Sequence, residues 1–301
     1  MAGGQERALR RRVRSNQNIK KITHAMELIA ASRIAKDQQR VAAARPYAEL
    51  MTTVVAHLTK VGGNLDQPLL AVRDTVRAVG LVVVTADKGL AGGYNANVTR
   101  AADQALAAAR RDGRDAKVYV AGKKGLNYFR FRQVPVEASW SGFSELPTID
   151  DARDIARTVR QAFEAGEVDQ VELISTQFLS LGNQRVSTRR MLPLDREALA
   201  ELGGGDHGGG AQAEYEFEPE PDGILERLLP LYLEARVYAA LLEAAASEHA
   251  ARQRAMKSAT DNASELIAIY QRRANRVRQE AITTELVEVT GAAAALAAGA
   301  G

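Results

Sequence analysis

The chain has 301 residues, 46% of them hydrophobic and 5% aromatic, with 40 Lys and Arg against 37 Asp and Glu for a net charge of +3. That length and apolar share fit one or two globular units with an adequate core. There is no cysteine, which excludes disulfides, thiolate metal sites and cysteine nucleophiles. No apolar run approaches a membrane span, and the basic N-terminus lacks the apolar stretch of a secretory signal, so a soluble intracellular protein is expected.

Residues 4 to 60 read as a long helix. Ile19, Ile22, Met26 and Ile29 form one apolar stripe, and Val41, Ala44, Ala48, Met51, Val55 and Leu58 repeat at four and three. Pro46 lies inside the pattern and predicts a kink, or a break with the helix resuming near Ala48. The first turns carry Arg7, Arg10, Arg11, Arg12, Arg14, Lys20 and Lys21. A solvated helix face and an electrostatic grip on an acidic protein or a nucleic acid both fit this charge.

Gly62, Gly63, Asn64 and Pro68 end that helix. A strand is predicted at Ala78 to Ala86, followed by the turn DKGLAGGYN at Asp87 to Asn95. A helix at 95–111, a strand at Lys117 to Ala121, a helix at Lys123 to Phe131, a strand at Val134 to Ala138, a helix at 148–165 and a strand at Gln170 to Gln177 come next. Alternating strand and helix implies βαβ units and a largely parallel sheet. A hairpin around Gly182 and Asn183 extends it to Leu194. The segment GGGDHGGG at Gly203 to Gly210 lies in a flexible loop over 201–221.

From Asp222 to Thr290 a second long helix is predicted, roughly 100 Å if unbroken. Its seam runs through Ile224, Leu228, Leu231, Ala235, Tyr238, Leu242, Ala245, Met256, Ala259, Ala263, Leu266 and Tyr270, with His249 and Arg252 interrupting it. An average period of 3.5 asks for a partner helix wound around it. The two ends of the chain therefore predict a coiled-coil shaft over 1–60 and 222–290. An α/β domain spans 75–200, and 291–301 form a frayed tail.

Little in this frame suggests bond chemistry. GLAGGYN follows a strand and precedes a helix, as a phosphate-binding turn would, but it has neither P-loop nor dinucleotide order; a tight strand-to-helix connection is the competing reading. His24, His57, His207 and His249 are scattered without metal-ligand spacing. Asp87 and Lys88 at a strand end read either as a salt-bridged turn or as catalytic groups. A nucleotide-dependent enzyme with helical arms and a helical nucleic-acid-binding protein both fit a helical rod joined to a small α/β domain.

The stretches IKKITHAMELIAASRIAK (Ile19 to Lys36), RPYAE (Arg45 to Glu49), DKGLAGGYNANV (Asp87 to Val98), SEHAARQRAMKSATDNA (Ser247 to Ala263) and RQEAITTELVEV (Arg278 to Val289) resemble the γ subunit of F-type ATP synthase. The matches fall in the family's order over nearly the whole chain, and ASWSGFSELPT (Ala138 to Thr148) is similar to actinobacterial members. The resemblance implies an α/β fold in which the N- and C-terminal helices form an antiparallel coiled coil and the middle a Rossmann-like α/β domain. It also implies a rotor that carries torque from a proton-driven c-ring to the catalytic sites of an α3β3 hexamer. One copy would sit in each complex with the α, β and ε subunits, with no cofactor and no active site of its own.

By the same resemblance, Met26 lies close to an acidic segment of β, and Arg252, Gln279 and Thr283 hydrogen-bond β loops. Lys20 and Lys21, with Arg7 and Arg10, face acidic β segments. Read by themselves, these residues also fit plain coil core for Met26 and exposed polar helix for the others. The missing dithiol implies no thiol regulation. The absence of a transit peptide favours a bacterial source, and so a peripheral place on the cytoplasmic face of the plasma membrane.

Overall fold

The computed structural model describes residues 2–61, 67–194 and 221–298. In order these are helix α1 (Ala2–Val61), a 3-10 turn (Pro68–Leu70), β1 (Ala78–Val84), α2 (Tyr94–Arg111), β2 (Asp115–Ala121), α3 (Lys123–Phe131), β3 (Ala138–Trp140), α4 (Ile149–Glu164), β4 (Gln170–Phe178), β5 (Gln184–Leu192) and α5 (Pro221–Ala298). Contacts divide the chain into two compact units, Met1–Ile29 with Gln253–Gly301, and Ala30–Arg252.

In the first unit the start of α1 runs antiparallel to the end of α5. Thr260 Oγ1 donates to Thr23 Oγ1 at 2.8 Å, and farther along the Arg12 guanidinium lies 5.7 Å from the centre of the Tyr270 ring. Residue numbers rise on one helix as they fall on the other. The seam buries Thr23, Met256, Thr260, Ala263 and Ala274, mostly small side chains that let two backbones approach. Continued from the Arg12–Tyr270 pair, the register brings the beginning of α1 opposite the region of Glu280. Ile282, Leu286, Val287 and Val289 beyond it are at least half exposed.

The second unit is built on a five-stranded sheet in the order β3-β2-β1-β4-β5. β1 pairs in parallel with β2 and β4, β2 in parallel with β3, and β5 returns antiparallel to β4. Central β1 is apolar along nearly its whole length because helices cover both faces, the usual state of a parallel strand. Its alternation sorts the two cores. Val79, Leu81 and Val83 pack with Val98, Leu106 and Phe129 of α2 and α3. Val82 and Val84 pack on the other face with Ile155, Val159 and Phe163 of α4.

That second face also receives Met51, Val55 and Leu58 from α1 and Leu225, Leu229, Leu233, Val237 and Leu241 from α5. The later part of α1 and the earlier part of α5 are therefore core elements of the sheet unit. Truncating a sealed residue here, such as Leu229 or Leu173, would cost about 2–5 kcal/mol through lost transfer energy and cavity formation.

Local chemistry explains most boundaries. Thr148 caps α4 through a reciprocal box: its Oγ1 accepts from the Asp151 N–H at 3.3 Å, and the Asp151 carboxylate accepts from the Thr148 N–H at 2.8 Å. Gly122 between β2 and α3 has φ +104°, and a Cβ there would collide with Thr85 O, so the close approach of the two segments requires glycine.

Some predicted bounds shift. The strand expected at Val134 to Ala138 is instead Ala138–Trp140, because pairing with β2 starts at Tyr119 opposite Ala138. Val134 and Val136 pack half-buried against the α2–α3 face on the way. Pro46 does not divide the first helix, which is continuous over Ala2–Val61 with one backbone donor missing. Helix α5 contains Pro230 and extends past Thr290 to Ala298, into the segment expected to fray. The flexible loop expected at 201–221 lies outside the described residues except for Pro221, as do residues 299–301 of the tail.

Candidate functional site

The residues implicated in partner contact fall in both units. Lys20 and Lys21 are exposed on α1 of the first unit, and Met26 is half-buried there. Ile19 and Ile22 beside them are 47% and 61% exposed, an apolar surface that one facing helix leaves open. Gln279 and Thr283 are exposed on α5, where the Thr283 hydroxyl donates to Gln279 O at 2.9 Å. That bond is an ordinary intrahelical one and leaves the Gln279 amide directed to solvent or a partner.

Arg252, in the second unit, has a different setting from the one implied for it. It is 6% exposed and its charge is met inside the chain. Nη2 lies 2.5 Å from Glu248 Oε1 one turn back on α5, and Nη1 lies 3.4 Å from Glu145 Oε1 on the loop before α4. Nε and Nη2 both point at the Gly89 carbonyl from 3.4 Å. Glu145 is shared further, accepting from Lys88 Nζ at 2.8 Å and from the Arg33 guanidinium of α1. Burial pushes the Glu145 carboxyl up, but Lys88 and Arg33 outweigh it and hold it below the usual range. Burial dominates at Glu248, whose carboxyl is pushed up against the pull of Arg252.

The glycine turn between β1 and α2 is occupied by its own bonds. The Asp87 carboxylate accepts from the backbone N–H groups of Lys123 at 3.0 Å, Gly142 at 2.7 Å and Ser144 at 3.1 Å. Asn95 Oδ1 accepts from the Ala86 N–H at 2.9 Å. The crevice beyond the carboxyl ends of β1 and β2 is lined by Tyr94, Phe143, Ala244 and Glu248 and retains a cavity of about 10 Å³. A nucleoside needs tens of times that space. Tyr94 seals it, donating its hydroxyl to Ala244 O at 3.2 Å, and burial pushes its phenol well above the ordinary value. Asp87 and Lys88 thus form a hydrogen-bonded, ion-paired turn.

Sequence inspection finds His249 and Arg252 as breaks in an apolar seam, but not their partners. His249 Nδ1 lies 2.5 Å from Asp37 Oδ2 of α1, and Arg252 reaches Glu145. The interrupted seam is the available signal for the first pair. For Glu145 there is none, since its loop is apposed to the helix only by the fold. Among the described residues no group of His, Asp and Glu is arranged to hold a metal ion, and no helix is long and apolar enough to cross a membrane.

The first unit thus presents helices with exposed basic and apolar residues, and the second is an α/β sheet with a filled crevice at the ends of β1 and β2. The family model for ATP synthase matches residues 5–296. The chain is 48% identical over 300 residues to the ATP synthase gamma chain of Frankia casuarinae, covering 98% of this chain and 99% of that one. It is 48% identical over 305 residues to the ATP synthase gamma chain of Mycolicibacterium smegmatis, covering 97% of each. Among solved structures, a chain of the Euglena gracilis mitochondrial ATP synthase (OSCP/F1/c-ring, rotational state 3) shares the fold with a TM-score of 0.68 at 19% identity, over 99% of this chain and 96% of that one. A chain of the Tetrahymena thermophila mitochondrial ATP synthase central stalk/c-ring matches with a TM-score of 0.58 at 25% identity, over 79% of this chain and 99% of that one. With a family model spanning nearly its full length and close relatives of one kind, this chain belongs to the gamma-chain family of ATP synthase.

Proposed function

We infer that this chain is the central-stalk rotor subunit of an F-type ATP synthase, without an active site of its own. It carries torque between a proton-driven c-ring and the catalytic sites of an α3β3 hexamer, and so couples proton transport to ATP synthesis. The observation that carries the reading is the end-to-end match to gamma chains of ATP synthase. The crevice beyond β1 and β2 agrees with it, since a cavity of about 10 Å³ does not admit a nucleoside there.

In this role the helical unit of 1–29 and 253–301 meets the hexamer. Lys20 and Lys21 face acidic segments of β, the half-buried Met26 slides against neighbouring side chains with its unbranched thioether, and Gln279 and Thr283 hydrogen-bond β loops. Exposed contacts of this type are individually weak, which suits a surface that must release each β subunit and engage the next. Each rotor angle then favours a different set of β conformations, and the differential contact energy shifts their populations. The α/β domain over 75–200 serves as the base, with ε and the c-ring as partners and the loop over 201–221 as an elaboration of it. The chain is a peripheral part of a membrane-bound complex, placed on the cytoplasmic face of a bacterial plasma membrane.

The test is MgATP hydrolysis by purified α and β subunits with and without this chain, beside the chain alone. The rotor reading expects one large complex with strongly raised turnover and no turnover by the chain alone. Turnover by the chain itself, or no effect of the folded chain on α and β, would contradict it.

A further inference from the structure

The buried cation of Arg252 joins three segments that the fold brings together from far apart. From α5 it meets the Gly89 carbonyl in the β1–α2 turn and Glu145 in the loop before α4, while Glu248 on α5 itself completes its neutralisation. Glu145 in turn accepts from Arg33 on α1 and from Lys88 in the turn. Two long helices and two loops of the sheet unit thus meet in one cluster of three cations and two carboxylates.

The turn it holds is under backbone strain. Leu90, a non-glycine residue next to Gly89, has φ +64° with its side chain 60% exposed, so packing of the leucine does not repay the conformation. Such a conformation is costly for a non-glycine residue and persists where its surroundings over-determine it. The Arg252 bond to the adjacent carbonyl, with Asn95 on Ala86 and Asp87 on three N–H groups, supplies that determination.

Apolar contacts between these segments resist separation but have no preferred direction, whereas a planar guanidinium bonded in a low-dielectric site resists sideways displacement. Within the sheet unit, apolar core dominates the attachment of α1 and α5. The ion cluster, in which Nη2 and Nε make the hydrogen bonds and Nη1 only an ion pair, adds to the Tyr94–Ala244 bond as a directional attachment at the carboxyl edge of the sheet.

We propose that Arg252, with Glu145 and Glu248, is an internal torque clamp: it fixes the β1–α2 turn and the loop before α4 to α1 and α5, so that rotation imposed on the α/β domain is carried into the helices under load. This rests on the rotor reading. It makes Arg252 a positioning residue that acts through Glu145 and Gly89 within the chain, and not a direct contact to β.

The experiment uses the assembled complex in sealed vesicles, with wild type, Arg252→Met, Arg252→Lys, Glu145→Gln and the Arg252→Met/Glu145→Gln double variant. The readout is protons pumped per ATP hydrolysed, followed as the opposing proton gradient builds. Arg252→Met and Glu145→Gln are each expected to reduce that ratio several-fold at high gradient and little at low gradient. The double variant is expected to match the worse single variant, and Arg252→Lys to recover part of the loss. An unchanged ratio in Glu145→Gln while Arg252→Met lowers it, or losses that add in the double variant, would overturn the clamp and return Arg252 to a contact outside the chain. Loads that leave every variant like wild type would overturn it as well. Failure of the rotor reading is separate, since it would show as wild-type chain that neither assembles with α and β nor raises their turnover.

Discussion

His249 Nδ1 of α5 lies 2.5 Å from Asp37 Oδ2 of α1, with both side chains almost sealed from water. Arg40 stands 3.7 Å from the other Asp37 oxygen, and the remaining ring nitrogen of His249 is buried without a partner. A polar pair in this position fixes which residues face each other along a seam where alanines and leucines would tolerate sliding.

Asp37→Ala should therefore destabilise the protein by about 1–3 kcal/mol, since it strands a buried imidazole without its acceptor. Replacing both partners with apolar residues, as in Asp37→Leu/His249→Phe, should recover most of that loss. Thermal unfolding of the three proteins checks both expectations. A double variant less stable than the single would show that the site's shape, not its polarity, sets the cost.

Asp169 predicts a limb in the acid stability profile. Burial pushes its carboxyl up, but the N–H groups of Ala78 and Arg77, at 2.9 and 2.7 Å, together with Arg73 outweigh burial and hold it below the ordinary value. With the folded value under the unfolded one, the stabilisation is present above the unfolded range near about pH 4 and is lost as pH falls through the folded value. Wild type should lose stability more steeply than Asp169→Asn as the pH is lowered below about 4. Parallel acid limbs for the two proteins would refute the assignment.

The exposed pair Gln279 and Thr283 should separate fold from coupling. Neither side chain packs in the described chain, so Gln279→Ala and Thr283→Ala should shift the stability of the isolated chain by no more than about 0.5 kcal/mol. In the assembled complex the same substitutions should lower ATP-driven proton pumping. Loss of helicity in the isolated variants, read by circular dichroism, would instead assign these residues to the helix itself.

The architecture was legible where its cause is local. The alternation of apolar strands with helices and the two long terminal helices are each written in residues a few positions apart. The seam read from Ile224 to Tyr270 is not the sealed face of α5: Leu231 and Leu266 are 43% and 39% exposed, while Leu225, Leu229, Leu233, Val237 and Leu241 pack in the core. The displaced β3 and the uninterrupted α1 through Pro46 were not legible either, because the first depends on where β2 offers a partner and the second on how firmly neighbouring turns are packed. At the candidate site the same division holds. Lys20, Lys21, Gln279 and Thr283 are exposed on the two helices, and the seam, which ends at Tyr270, does not by itself place the last two. Arg252 reads in sequence as a seam-breaking cation seeking an external partner, and only the fold brings Glu145, Gly89 and Arg33 to it. A cation's demand for a counter-charge is visible in one dimension, and the source of that charge is not.

A chain that turns inside its complex can be watched turning. With the α and β subunits immobilised and a probe fixed to the exposed part of this chain's α/β unit, MgATP should drive stepwise rotation in one direction whose rate follows turnover. Turnover with the probe stationary, in complexes shown to contain the chain, would mean that it is not the rotor.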